Sequence, residues 1–193
     1  MVESTPFLEY QVPASLLELF QTQAEQKIQA EGWGKDGRPV EIKVHNFVQC
    51  WATEEAFKQI LIQKKIKFRH RGLYFGDAAG AGADFTVSIT RKEVSLGIRS
   101  LTADSFHKWK SVAYPEDRFQ HEPEKIASYH VVCTFENHTV RFLGMMSKVE
   151  LLQALQKSEV KYSPKNQEQF RVIPLEKFRL PELYALLSKM DTI

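Results

Sequence analysis

Residues 84–100 read as two alternating segments joined by a polar turn, a pattern that only a β-sheet satisfies along its whole length. In DFTVSIT, Phe85, Val87 and Ile89 alternate with Asp84, Thr86 and Ser88. In VSLGIRS, Val94, Leu96 and Ile98 alternate with Ser95, Gly97 and Arg99. Successive side chains of a strand point to opposite faces, so each segment has one apolar and one polar side. The intervening Thr90–Glu93 closes a hairpin. Its polar sides lie next to each other, which predicts Asp84 and Arg99 on one surface.

Helical periodicity surrounds this hairpin. After Pro13, Leu16, Leu17, Phe20, Ala24 and Ile28 fall at helical spacing, and Gly32 ends the run. The turn GKDGRP leads to Val40–Val44, which alternates like a brief strand. Residues 46–63 read as a second helix whose inward stripe holds Cys50, Phe57 and Leu61, with Glu54 on the same stripe. A strand over 66–71, a glycine-rich loop (Gly76–Ala83) and the hairpin follow. A short helical piece near Ser105–Lys110 comes next, then an irregular Tyr114–Pro123. Strands at Tyr129–Phe135 and Thr139–Met145 flank the turn ENH. A helix (Lys148–Gln156), a strand (Gln169–Ile173) and a last helix (Pro181–Met190) complete the chain. Helices, then strands, then helices imply a central mixed sheet with helices on its faces.

The 193 residues fit one domain with a sizeable core, and 43% hydrophobic with 26% charged residues is ordinary globular composition. A net charge of +2 identifies no partner, so any nucleic-acid surface must be a local arrangement. The two cysteines, Cys50 and Cys133, lie in apolar segments and are expected to be buried thiols. No charged-then-apolar leader and no run of about 18 apolar residues occurs, so the expected setting is the cytoplasm, without a membrane.

At the hairpin the chain resembles the PD-(D/E)xK, or restriction-endonuclease-like, nuclease superfamily. There a glycine-containing loop leads into an aspartate at the start of one hairpin strand, and the next strand carries Glu-x-Lys. Here GAGADFTV supplies Asp84, VSLGIRS stands where the Glu-x-Lys strand belongs, and Glu54 in ATEEAFKQIL matches the acidic residue that many members place on an earlier helix. The segments IASYHVVCTF and VRFLGMMSKVELLQAL resemble the later strands and the helix after them. The resemblance runs from about Ala52 to Leu155. It implies a restriction-endonuclease-like α/β core over 46–156, with an N-terminal helical extension (1–45) and a C-terminal strand and helix (157–193), all in one domain.

The resemblance also implies Mg²⁺ held by oxygen ligands: Asp84, Glu54 and the main-chain carbonyl of Ile98. The signature is degenerate. Gly97 stands at the glutamate position and brings no side chain. Arg99 stands at the lysine position; a guanidinium neutralises phosphate but does not release a proton near neutral pH. Asp77 and Glu93 lie in turns and are weaker replacements. Two functions stay open. One is nucleic-acid binding or processing, DNA before RNA, with Asp84, Glu54 and Arg99 catalytic if the protein is a Mg²⁺-dependent phosphodiesterase. The other is a non-catalytic protein-interaction module on the same fold. Nucleases of this kind often pair to cut both strands, which keeps a homodimer open.

The run KKIKFRHR places Lys65, Lys67, Arg69 and Arg71 on one strand face, either to follow a phosphate backbone or as a charged, aggregation-proof edge. Lys108, Lys110 and Arg118 extend the basic surface. Trp109 and Tyr114 lie among them and are expected to be buried rather than stacked on bases. A second Glu-x-Lys, Glu41–Lys43, follows Asp36 too closely for a hairpin and reads as surface ion pairing. The six histidines show no metal-ligand spacing.

Overall fold

A computed structural model of the chain describes residues 8–31, 39–72, 83–164 and 168–193. A curled, mixed six-stranded sheet forms the centre. It comprises β1 (Leu8–Gln11), β2 (Phe68–His70), β3 (Phe85–Ile89), β4 (Lys92–Leu101), β6 (Tyr129–Glu136) and β7 (Thr139–Ser147), in the order β1-β7-β6-β4-β3-β2. All neighbours are antiparallel except β4 and β6, which run parallel. A smaller antiparallel sheet holds β5 (Ser111–Pro115), β9 (Glu168–Pro174) and β8 (Val160–Ser163), in the order β5-β9-β8.

The expected hairpin is present: Phe85 pairs with Leu96 and Val87 with Val94. Its turn places Thr90 and Arg91 at φ 51° and 65°, and the β6–β7 turn places Asn137 and His138 at φ 49° and 62°. Positive φ at two successive turn residues gives the twist that matches paired strands.

One face of the large sheet is covered by α1 (Ala14–Glu31), α2 (Val40–Gln63) and α5 (Leu180–Lys189). The apolar stripe of α2 lays Phe57 between Phe85 (5.4 Å between ring centroids) and Phe142 (5.5 Å). The other face carries the second core, in which Leu101, Val132 and Met146 of the sheet meet Val112 of β5, Ile173 of β9, and Leu151 and Leu155 of α4 (Lys148–Lys157). Ser147 starts α4 with a reciprocal capping box to Glu150. Arg171 on β9 grips both carboxylate oxygens of Glu116, at the start of α3 (Glu116–His121), and donates to the carbonyls of Leu155 and Ser158. That one guanidinium ties the small sheet to the end of α4.

Several expectations change. Val40–Val44 is the first turn of α2, following Pro39 at φ −55°. Five alternating residues also satisfy helical spacing, and Val44, Phe47 and Val48 share the face turned to the core. Lys43 is buried, so the second Glu-x-Lys is not a surface pair. The stretch taken as irregular, Tyr114–Pro123, contains the end of β5 and α3. The turn GKDGRP before Pro39, Asp36, Asp77 and the glycine-rich segment before Ala83 lie outside the described residues, as does the side chain of Arg118.

Candidate functional site

Two acids meet where α2 crosses the β2–β3–β4 corner. Helix α2 is fixed there by Gln49, whose amide donates to Ser100 Oγ (2.7 Å) and to the Leu101 carbonyl (2.8 Å) at the end of β4. Five residues further along the helix, about 7.5 Å by helical rise, is Glu54, only 6% exposed. Its carboxylate lies 3.0 Å from His70 Nε2, and the His70 ring stacks on Phe85 at 4.5 Å.

Asp84 sits just before β3. Its Oδ2 accepts from the Ile98 amide at 2.7 Å, and its Oδ1 lies 3.1 Å from an Arg71 nitrogen. The same Arg71 nitrogen is 3.9 Å from Glu54. Arg71 is held by its backbone too, its amide donating to the Asp84 carbonyl (2.9 Å). One guanidinium therefore bridges two carboxylates.

Burial drives the Asp84 carboxyl up to about 7, and the Glu54 charge adds to the rise; the Ile98 hydrogen bond, Arg71 and His70 oppose it. Holding a carboxylate in this place is energetically unfavourable near neutral pH, a condition concentrated at functional sites. Cys50 lies one helical turn before Glu54. Contrary to expectation it has exposed surface. Even so, the surrounding protein mass and then the charges of Glu54 and Asp84 push its thiol up to about 12, so it is a poor nucleophile. Cys133 is buried as expected.

Arg99 does not share a surface with Asp84 as expected: it is the partner of Val132 on β6, whose side chain belongs to the second core, on the sheet face turned away from α2. It donates to the Ala113 carbonyl at 2.5 Å and lies over the Tyr114 ring, 4.9 Å from its centroid. The guanidinium joined to the acid pair is Arg71. Arg99 is still near enough to lower the Cys50 thiol, which feels the acids as well. Ile98 meets the site through its N–H, donated to Asp84; the N–H and C=O of a strand residue point to the same side, so its carbonyl faces that way too. Gly97 pairs with His130 on β6, and a Cβ on Gly97 would meet Ala127 and His130 at 3.5 and 3.7 Å, ordinary contact. A side chain has room to start there.

The basic ridge keeps its alternation. Lys65, Lys67 and Arg69 face outward while Ile66, Phe68 and His70 turn in. Arg69, however, pairs with Glu93 (2.9 Å), so Glu93 is no stand-in acid, and Arg71 is drawn into the acid pair. Of the four basic residues, only Arg69 lies on β2, an edge strand of the large sheet; Lys65 sits in the turn after α2 at φ 56°, and Lys67 and Arg71 flank the strand. Lys108 and Lys110 are exposed. Between them Trp109 is 59% exposed, a correction to its expected burial, while Tyr114 is buried as anticipated. Trp109 follows a single π turn (Asp104–Lys108) that leaves its ring outside both cores.

As a cation site, the pair offers two hard oxygen ligands, and Mg²⁺ is commonly held by one or two carboxylates plus substrate phosphate. Glu54 and Asp84 fit that minimal set once Arg71 leaves the space between them. Among the described residues no group of three or more His, Cys, Asp or Glu side chains is arranged to hold a metal ion. Among those residues, too, no helix is long and apolar enough to cross a membrane. No family model, curated protein or solved structure matches this chain.

Proposed function

We propose that the chain is a nuclease-like core with a reduced acid site, which binds nucleic acid and engages a phosphate at Glu54 and Asp84 through a divalent cation. The observation that carries this reading is the buried acid pair itself, with an Asp84 carboxyl raised to about 7 beside Glu54. Two close carboxylates of which one resists ionisation are relieved by positive charge, and Arg71 supplies one unit of it. Glu54 and Asp84 would hold Mg²⁺, which when bound polarises a phosphoryl oxygen and lowers the pKa of water. Arg71, released from the pair, is then free to neutralise that phosphate with its planar fork. The restriction-endonuclease-like reading of the fold draws support from the same elements: an acid-bearing helix, an aspartate opening one hairpin strand, and the next strand beside it.

A second reading, a non-catalytic interaction module, is favoured by two other observations. Gly97 contributes no ligand, and Arg99 is committed to Ala113 and Tyr114. A plasmid-nicking assay with Mg²⁺ or Mn²⁺ separates the two. The wild-type protein is expected to nick slowly. Asp84→Ala is expected to lose at least the roughly 10- to 100-fold that removal of even an outer-shell partner costs a metal site. The double change Gly97→Glu with Arg99→Lys is not expected to raise the rate, because Gly97 and Arg99 face His130 and Val132 on the side of β4 turned away from α2. No cleavage by any of these proteins with either metal removes the enzyme and leaves the interaction module.

A further inference from the structure

We propose that the groove between α4 and the β5–β9–β8 sheet binds a single-stranded polynucleotide, with a base stacked on Trp109. This deepens the nucleic-acid reading above and rests on it, while using none of the acid-pair residues.

The groove measures about 1770 Å³, well beyond the ~300–1,000 Å³ of a typical small-molecule site, so its dimensions suit a polymer. Trp109 stands at its rim with most of its ring in solvent. The ring is presented by fixed backbone. The Trp109 amide donates to the Asp104 carbonyl (2.9 Å), Lys110 is held at φ 46°, and the Lys110 carbonyl accepts from Leu175 (2.8 Å).

Four lysines reach the groove from four separate places: Lys110 after the π turn, Lys157 at the end of α4, Lys161 on β8 and Lys177 after β9. Of the acids lining it, Glu150 is closed into the Ser147 cap and paired with Arg179. Asp104, Glu168 and Glu176 remain against the four lysines, an excess of one positive charge. A modest positive excess beside an exposed indole is the chemistry of single strands, whose unstacked bases lie on aromatic rings while cations follow the phosphates. A duplex hides its base faces and would gain nothing from Trp109.

The groove also reaches the start of α2. Ile42 and Asn46 of α2 line one end of it. Ala113, which holds Arg99, forms part of the wall.

Fluorescence anisotropy with a labelled oligothymidylate of about 20 nucleotides, and with a blunt duplex of equal length, tests the assignment. At low salt the single strand is expected to bind more tightly than the duplex. Trp109→Ala is expected to weaken it on the order of tenfold, within the range for loss of one stacked base, and Trp109→Phe to restore most of the affinity. Lys157→Ala with Lys161→Ala is expected to lower the slope of log affinity against log salt by about 1.4. An affinity unchanged in Trp109→Ala, or a duplex bound more tightly than the single strand, overturns the groove and leaves the acid-pair reading standing. Trp109-dependent binding with no effect of magnesium upholds the groove whatever becomes of the acid pair.

Discussion

Gly144→Ala is expected to destabilise the protein by about 3 kcal/mol or more, a drop in melting temperature of about 6–12 °C for a chain of this size. The reason is local. Gly144 sits at φ 153°, where the register between β6 and β7 shifts: Val132 faces Gly144, and Cys133 faces Phe142. A Cβ there would lie 2.6–2.7 Å from backbone atoms of Phe178 and Arg179. Backbone yields far less readily than the end of a side chain. Relief requires the segment before α5 to move away, which breaks the paired hydrogen bonds between Met145 and Arg179. That movement would also draw Leu183, Leu186 and Leu187 from the main core. Urea unfolding, with hydrogen exchange at the Met145 and Arg179 amides, reads both effects. An unchanged midpoint would mean that the close approach is not built as described.

The opposite sign is expected at Asp84. Asp84→Asn should stabilise the protein by about 2 kcal/mol at pH 8 and by almost nothing at pH 4. In the folded state the carboxyl is raised to about 7, whereas in the unfolded chain it titrates near 4. Between those values the native state holds a proton that the unfolded state has released, so stability attributable to this group is present below about pH 4 and is lost as pH rises through 7. Asparagine does not titrate and still accepts from the Ile98 amide. The net shift, in which the attraction to Arg71 is already included, sets a ceiling of about 4 kcal/mol at 1.36 kcal/mol per unit. Chemical denaturation of both proteins from pH 4 to pH 8 should show the gap opening across the interval and level beyond it. A constant gap, or one that closes as pH rises, contradicts the argument.

A residue kept in place at a stability cost also explains why parts of this site were legible in the sequence. Asp84 opens an alternating strand and Glu54 interrupts an apolar helical stripe; each is a polar residue where local pattern alone would put none or leave it outside. Hairpins β3–β4 and β6–β7 were readable for the same reason, since period-two alternation and a short polar turn act within twenty residues. What escaped depends on distant partners. Strand β1 pairs with β7 and β5 with β9, across more than fifty residues in each case, and four to five residues carry little periodicity of their own. Val40–Val44 alternates, yet α1 and the sheet beside it favour the helix. Arg71 continues the alternation of Lys67 and Arg69, so it read as one more cation of a ridge. Its pairing with Asp84 arises because β2 ends at His70 and the chain beyond it lies against the start of β3. The exposure of Trp109 had no local signal either, because the π turn before it is set by how β4 hands the chain over to β5.

The central claim is that Glu54 and Asp84 form one electrostatically coupled acid pair inside the fold. The most direct measurement is a carbon-13 NMR titration of the Asp84 carboxyl in the wild-type protein and in Glu54→Gln. The predicted midpoint is about 7 in the wild type, moving down when the neighbouring charge is removed. A midpoint in the usual carboxylate range near 4, unmoved by Glu54→Gln, would contradict it.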